Sequence, residues 1–227
     1  MKFSWKLDDF DSEILGFKVA KIEVLNSLDV KDLIKDLIKN KVTYATCRVQ
    51  SNNFPMIHAL EKAGFILVDG LITLEINTSD IETEISAIEI REANKNDLDK
   101  LKKITNGLYS ISRIFNDSII SKDKANKFYI KWVENSVLVW EEEKDILGYI
   151  TLQKKGQVPL IGVSPQARGK GIAKKLIKAS FNRFKEWGCE IIRIETQMDN
   201  IPALRVYHDC GFKVVNSFLT LRWLDHE

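Results

Sequence analysis

The chain has 227 residues, 44% hydrophobic and 29% charged, which suits one large or two small globular domains with a core that needs no covalent staples. Its 34 basic and 32 acidic residues leave a net charge of +2, so nothing in the balance calls for a nucleic-acid or anionic-membrane partner. Three cysteines without CxxC spacing and three histidines without a cluster read as reduced thiols in a cytoplasmic protein, with no disulfide framework and no metal site.

The first nine residues lack an apolar run of the secretory kind, and no stretch approaches eighteen apolar residues. Neither a signal peptide nor a membrane span is expected. Lys18–Val24 alternates as a strand does. Val30–Asn40 places Val30, Leu33, Ile34, Leu37 and Ile38 on one helical face. Tyr44–Val49 reads as a strand. Asn53–Ala63 reads as a helix with Pro55 in its first turn and Gly64 as its stop, and Phe65–Ile76 is β-rich. The polar stretch Asn77–Ala87 has no strong period and reads as a linker.

The second part opens with a strand at Ile88–Glu92. Asn94 or Asn96 is placed to cap a helix reaching about Ser110, and Ser121–Asn135 reads as another helix. Three strands follow at Ser136–Glu141, Ile146–Gln153 and Pro159–Val163. Ile172–Trp187 is a long helix with Ala173, Leu176, Ile177, Ser180, Phe181 and Phe184 on one face. Glu190–Gln197 reads as a strand, Pro202–Cys210 as a helix and Lys213–Leu224 as a final strand. Strands and helices mostly alternate, with antiparallel pairs around the middle, which predicts a mixed α/β sheet.

Two segments align without a gap. Gln50–Glu75 matches Gln197–Arg222 at a constant offset of 147, with eight of 26 positions identical, among them Asn53/Asn200, Pro55/Pro202, Gly64/Gly211 and Phe65/Phe212. The shared pattern is strand end, Asn-x-Pro, helix, Gly-Phe, strand, as a duplication leaves it. The copies differ where Tyr207 matches Leu60, and no glycine loop precedes the first copy. If one half does chemistry, it is the second.

That loop is Gln166-Ala167-Arg168-Gly169-Lys170-Gly171, between a strand and a helix. The arrangement aims free backbone N–H groups and the positive end of a helix dipole at a ligand, which favours an anion. Gly169 and Gly171 let the backbone approach a bulky pyrophosphate, and Arg168 and Lys170 add positive charge. The spacing is neither GxxxxGK[ST] nor a GxGxxG dinucleotide fingerprint.

Gln-x-x-Gly-x-Gly before an amphipathic helix, with Asn200 and Tyr207 downstream, resembles the GCN5-related N-acetyltransferase superfamily. The resemblance implies a mixed, mostly antiparallel sheet flanked by helices, with a reduced N-terminal half of the same fold. It divides the chain into residues 1–76, a linker at 77–87, and an acetyltransferase domain at 88–227. It implies acetyl-CoA as cosubstrate, held by Ile161, Gly162, Val163, the loop from Gln166 to Gly171, Ile172, Ala173, Asn200, Ala203 and Tyr207. It also implies Tyr207 as general acid and a homodimer. The run Ser112-Arg113-Ile114-Phe115 and the segment Lys127–Ser136 are similar to the TDP-fucosamine acetyltransferase group, which acetylates nucleotide-linked aminosugars.

An unperturbed phenol titrates near a pKa of about 10, close to an alkyl thiol, so transfer of its proton to a departing thiolate is nearly balanced. Core packing is the competing role for Tyr207. Glu141, Glu195 and Asp199 are candidate bases. Arg113 is a candidate for a substrate phosphate, with a salt bridge as its equal alternative. A polyamine, an aminoglycoside or a protein N-terminus are other possible acceptors, and an acyl-CoA-binding protein without turnover is the alternative outside enzymology.

Overall fold

The computed structural model describes residues 2–26, 28–81, 88–134 and 136–225. The first elements are β1 (Phe3–Leu7), α1 (Asp9–Leu15), β2 (Val19–Leu25), α2 (Lys31–Lys39), β3 (Tyr44–Gln50), α3 (Phe54–Lys62) and β4 (Ile66–Asn77). Then come β5 (Ile90–Glu92), α4 (Leu98–Thr105), α5 (Arg113–Asn116), α6 (Lys122–Val133), β6 (Ser136–Glu142) and β7 (Asp145–Thr151). The chain ends with β8 (Gln157–Val158), β9 (Ile161–Val163), α7 (Ile172–Glu186), β10 (Ile191–Gln197), α8 (Ile201–Asp209) and β11 (Lys213–Leu224). This is a mixed α/β protein whose strands pair mostly antiparallel.

Two compact units emerge. The first comprises residues 1–71, 112–124 and 216–227, and the second residues 72–111 and 125–215. In the first, β1 pairs antiparallel with β2, β2 parallel with β3, and β3 antiparallel with β11. Its core gathers Leu33 and Leu37 of α2, Leu60 of α3, Phe65, Leu221 and Trp223. In the second, β4 lies beside β10, β10 pairs parallel with β8, and a separate four-stranded sheet runs β5-β6-β7-β9. Leu176, Ile177, Phe181 and Phe184 of α7 are buried there with Ile192, Ile194, Tyr207 and Phe212. That apolar stripe follows the helical period read from the sequence.

The repeat is structural. Shifting β3, α3 and β4 by 147 positions reproduces both ends of β10, α8 and β11. Asn53 and Asn200 each cap their helix through the side chain, accepting from Met56 N and Ala203 N. Gly64 (φ 86°) and Gly211 (φ 93°) each follow the helix in the left-handed region. Within the first unit β3 of the first copy pairs with β11 of the second, and within the second unit β10 lies beside β4 of the first copy. The copies have therefore exchanged their last strands.

Several expected boundaries move. β1 and α1 were not expected from the sequence; Asp8 caps α1 by accepting from Asp11 N. The helix after Asn94 starts with a capping box and a 3₁₀ turn and ends at Thr105, because Gly107 (φ 73°) breaks it before Ser110. Of the expected linker, Asn77 ends β4 and Thr78–Asp80 form a 3₁₀ turn, while 82–87 lie outside the described residues, as does Asn135.

The β6–β7 hairpin turns on Glu143 (φ 51°) and Lys144 (φ 69°), the two-residue loop with positive φ at both positions that normally takes Asn-Gly. A side chain held left-handed costs about 1–2 kcal/mol, against about 0.5–1 kcal/mol of extra glycine entropy. Lys144→Gly is expected to raise stability by about 0.5–1 kcal/mol and the melting midpoint by a few degrees, measured by thermal denaturation.

Candidate active site

The site grows from one interrupted strand. Gln157 and Val158 pair parallel with Arg193 and Ile194 of β10, but Ile161–Val163 pair only with β7, in the other sheet. Pro159 lies at the break, with no N–H to continue a ladder. Thr151 holds the diverted chain: its hydroxyl accepts from Leu160 N at 2.8 Å, and its N–H donates to Leu160 O at 2.9 Å. β9 and the end of β10 therefore part within the second unit.

Strand alternation tells which backbone groups face the parting. Thr151 N bonds Leu160 O and Ser164 N bonds Leu147 O, so the intervening bonded position on β9 is Gly162 opposite Tyr149. The N–H and C=O groups of Ile161 and Val163 are consequently turned away from β7, toward the opening. Gly162 has a second constraint: a Cβ there would lie 2.6 Å from the Tyr149 ring and 2.7 Å from Leu108 Cδ2.

After β9, Pro165–Ala167 make a 3₁₀ turn, with Ala167 buried and Gln166 Oε1 accepting from the Ser164 hydroxyl at 3.2 Å. Gly169 (φ 81°) and Gly171 (φ 76°) then swing the chain into α7, and open space lies where their Cβ atoms would be. Gly171 caps α7 with no side-chain hydrogen bond, so the first-turn N–H groups, from Ile172 and Ala173 on, have no side-chain acceptor. Arg168 and Lys170 are exposed; Lys170 Nζ lies 3.6 Å from Glu142. Free N–H groups arranged in this way suit an anion.

Tyr207 sits on α8, 4% exposed, in the apolar cluster against which Ile161 and Val163 pack. Its hydroxyl has no hydrogen-bond partner among the described residues, and its oxygen is not among the solvent-shielded polar atoms left unmet. Burial pushes its phenol well above the usual value, with the neighbouring Cys210 adding to the effect. Asn200 is committed: its Oδ1 caps α8 at Ala203 N and its Nδ2 donates to Thr196 Oγ1 at 2.9 Å.

The candidate bases fare differently. Glu141 is held by Arg91, which also grips Asp97, and the Arg91 hydrogen bond pulls the Glu141 carboxyl below its usual range. Glu195 accepts from the Thr73 hydroxyl at 3.1 Å. Asp199 is exposed. Arg113 belongs to the other unit, where its Nη2 donates to Asp11 Oδ2 at 2.9 Å, a carboxylate 1% exposed. The salt-bridge alternative for Arg113 is thus present, and it is buried rather than at the surface.

Sequence reading passed over a hydroxyl cluster against β9. Thr105 Oγ1 lies 2.7 Å from Leu101 O and 2.9 Å from Tyr149 Oη, and the Tyr149 and Tyr109 hydroxyls are 2.8 Å apart. The Tyr109 ring stacks on Tyr129 at 4.5 Å. The only local signal is a Gly-Leu-Tyr sequence after the helix ends at Thr105.

Among the described residues there is no cluster fit for a metal and no helix long and apolar enough to cross a membrane. Cys47 and Cys210 are buried and Cys189 half-buried, all free.

Residues 106–212 match the acetyltransferase (GNAT) family. The chain is 25% identical over 187 residues to the dTDP-fucosamine acetyltransferase of Escherichia coli O6:H1, covering 78% of this chain and 79% of that one. It is 21% identical over 228 residues to the spore coat polysaccharide biosynthesis protein SpsD of Bacillus subtilis, covering 92% and 78%. Among solved structures, a GCN5-related N-acetyltransferase from Sphaerobacter thermophilus shares the fold with a TM-score of 0.66 at 12% identity, over 98% of this chain and 76% of that one.

Gly162→Ala is expected to destabilise the protein by about 1–3 kcal/mol, because the Tyr149 ring has no room to retreat. Urea denaturation reads this; a midpoint equal to wild type would mean that the two strands tolerate a methyl group here.

Proposed function

Because the segment 106–212 belongs to the acetyltransferase (GNAT) family and the protein is an acyltransferase of that type, we propose that it moves an acetyl group from acetyl-CoA to a primary amine of a nucleotide-linked aminosugar, with Tyr207 as the general acid. The observation that carries the mechanism is the uncommitted hydroxyl of Tyr207, a side chain of the cluster that packs Ile161 and Val163. The acceptor class rests on the two relatives matched over most of their lengths, one named for a dTDP-linked aminosugar and one for polysaccharide biosynthesis.

The residues fit acetyl-CoA. The uncapped α7 terminus and the space in front of Gly169 and Gly171 suit a pyrophosphate, with Arg168 and Lys170 adding charge. The outward groups of Ile161 and Val163 suit the amides of a pantetheine arm lying in the parting. The thioester supplies the activated acyl group. One of the two outward N–H groups is placed for the oxyanion that develops as the amine attacks. Tyr207, a phenol protonated at neutral pH and made a weaker acid by burial, gives its proton to the departing sulfur. Asn200 and Ala203 fix the start of α8 and so the position of Tyr207. Arg113 is assigned no substrate contact in this reading, its charge being matched by Asp11.

We place the seam of the duplication at 77–87, between residues 1–76 and 88–227, and the chemistry in the second half. At the start of α2, the helix before β3 in the first half, stand Asp29, Lys31 and Asp32 and no glycine, so the first half lacks the glycine turn that opens α7.

Thiol release measured with DTNB across dTDP- and UDP-linked aminosugars, spermidine, an aminoglycoside and an N-terminal peptide tests the reading. Turnover is expected with a nucleotide aminosugar. Acetyl-CoA binding without release from any amine would instead favour a non-catalytic role. Tyr207→Phe is expected to lower kcat by about 100-fold or more and leave the KM for acetyl-CoA within about twofold; an unaltered kcat sinks the general-acid role.

A further inference from the structure

Each hydroxyl of the Tyr109–Tyr149–Thr105 cluster carries one hydrogen, and the Leu101 carbonyl can only accept. One arrangement satisfies all three close contacts. Thr105 is placed to donate to both Leu101 O and Tyr149 Oη, and its one hydrogen goes to the carbonyl, which cannot donate in return; Tyr149 then donates to Thr105 and Tyr109 to Tyr149. The chain of hydroxyls thus runs inward and ends on helix backbone. Its outermost member, Tyr109, has spent its hydrogen and keeps lone pairs for an incoming donor. Donation down a chain of this kind also strengthens the outermost oxygen as an acceptor.

The cluster is fixed on the strand that borders the parting. Tyr149 stands opposite Gly162, its ring filling the space a side chain would take there, with Leu108, the neighbour of Tyr109, on the same spot. Tyr149 is fully buried, whereas Tyr109 is half-buried and braced by stacking on Tyr129. Tyr109 is also close enough to Tyr207 for a charge on the latter to act on it. A rigid acceptor of hydrogen bonds therefore stands on the α4 side of β9, within the electrostatic reach of the proposed acid.

We infer that Tyr109 binds the acceptor nitrogen, its hydroxyl oxygen accepting an N–H of the amine and turning the nitrogen lone pair toward the thioester carbon. Thr105 is a positioning residue that acts through Tyr149 by fixing the direction of donation. The inference rests on the acetyl-transfer reading and adds the group that selects a nitrogen donor. No proton is transferred to Tyr109; the contact orients.

The test is steady-state kinetics of wild type, Tyr109→Phe, Thr105→Val and Thr105→Ser with whichever amine of the panel wild type acetylates fastest. Tyr109→Phe keeps the stacked ring and removes one oxygen. Its KM for the amine is expected to rise about fivefold to tenfold, with the KM for acetyl-CoA within about twofold. Thr105→Val is expected to raise the amine KM about threefold, and Thr105→Ser, which keeps the hydroxyl, to restore it. An unchanged amine KM in Tyr109→Phe overturns the inference, and so does an equal rise for acetyl-CoA, which would put the tyrosine in the cofactor cleft. If Tyr109→Phe lowers the melting midpoint sharply, the Thr105 pair decides, since identical kinetics for Val and Ser would also overturn it. A wild type that releases no thiol with any amine defeats the underlying reading before any substitution is compared.

Discussion

A strand that cannot stay paired is the constraint on which the site depends. A parallel ladder from Gln157 onward along β10 would fill the gap with backbone hydrogen bonds and leave nothing to bind a ligand. Pro159 interrupts that ladder because it lacks an N–H, and Thr151 takes both polar groups of Leu160 so that the diverted chain is not left unmet. Everything proposed for the chemistry follows from this detour. It turns the Ile161 and Val163 backbone outward, and it delivers the chain to the glycine loop.

Most of the second half was legible because its signals are local. The α7 stripe, the Gln-x-x-Gly-x-Gly turn and the Asn-x-Pro helix start each act within a few residues, and the structure puts them where the pattern says. Pro159 marks the break in the expected Pro159–Val163 strand, but the Thr151 hydroxyl that holds the diverted chain lies on another strand and was not legible. Nor were α1 and the Tyr109 cluster. α1 has seven residues and buries Asp11, which is acceptable only because Arg113, distant in sequence, lies opposite. Propensity cannot see such a partner. Tyr109 looks like an ordinary loop aromatic until Tyr149 and Thr105 are placed around it.

The repeat shows what separates a scaffold from a site at nearly constant geometry. Leu60 and Tyr207 occupy matching turns of matching helices, 0% and 4% exposed, and each helix ends with its carbonyl accepting from the following phenylalanine N–H. Leucine there is a packing residue and nothing more. Tyrosine at the same place adds one oxygen, which no described residue engages. The first copy has the leucine and no glycine turn at its helix start, so both elements of the chemistry are missing together.

The exchange of final strands has a consequence for how the molecule is made. β3 completes its pairing with β11, through Phe218 to Leu224, which are made long after Tyr44 to Gln50. Such distant pairing raises contact order and slows folding, because a long loop must close before any bond rewards it. Until β11 is made, β3 presents an open strand edge. Once β11 arrives, neither half can be withdrawn from the other without unpairing a strand, so the fusion of the two copies, however it arose, is difficult to reverse.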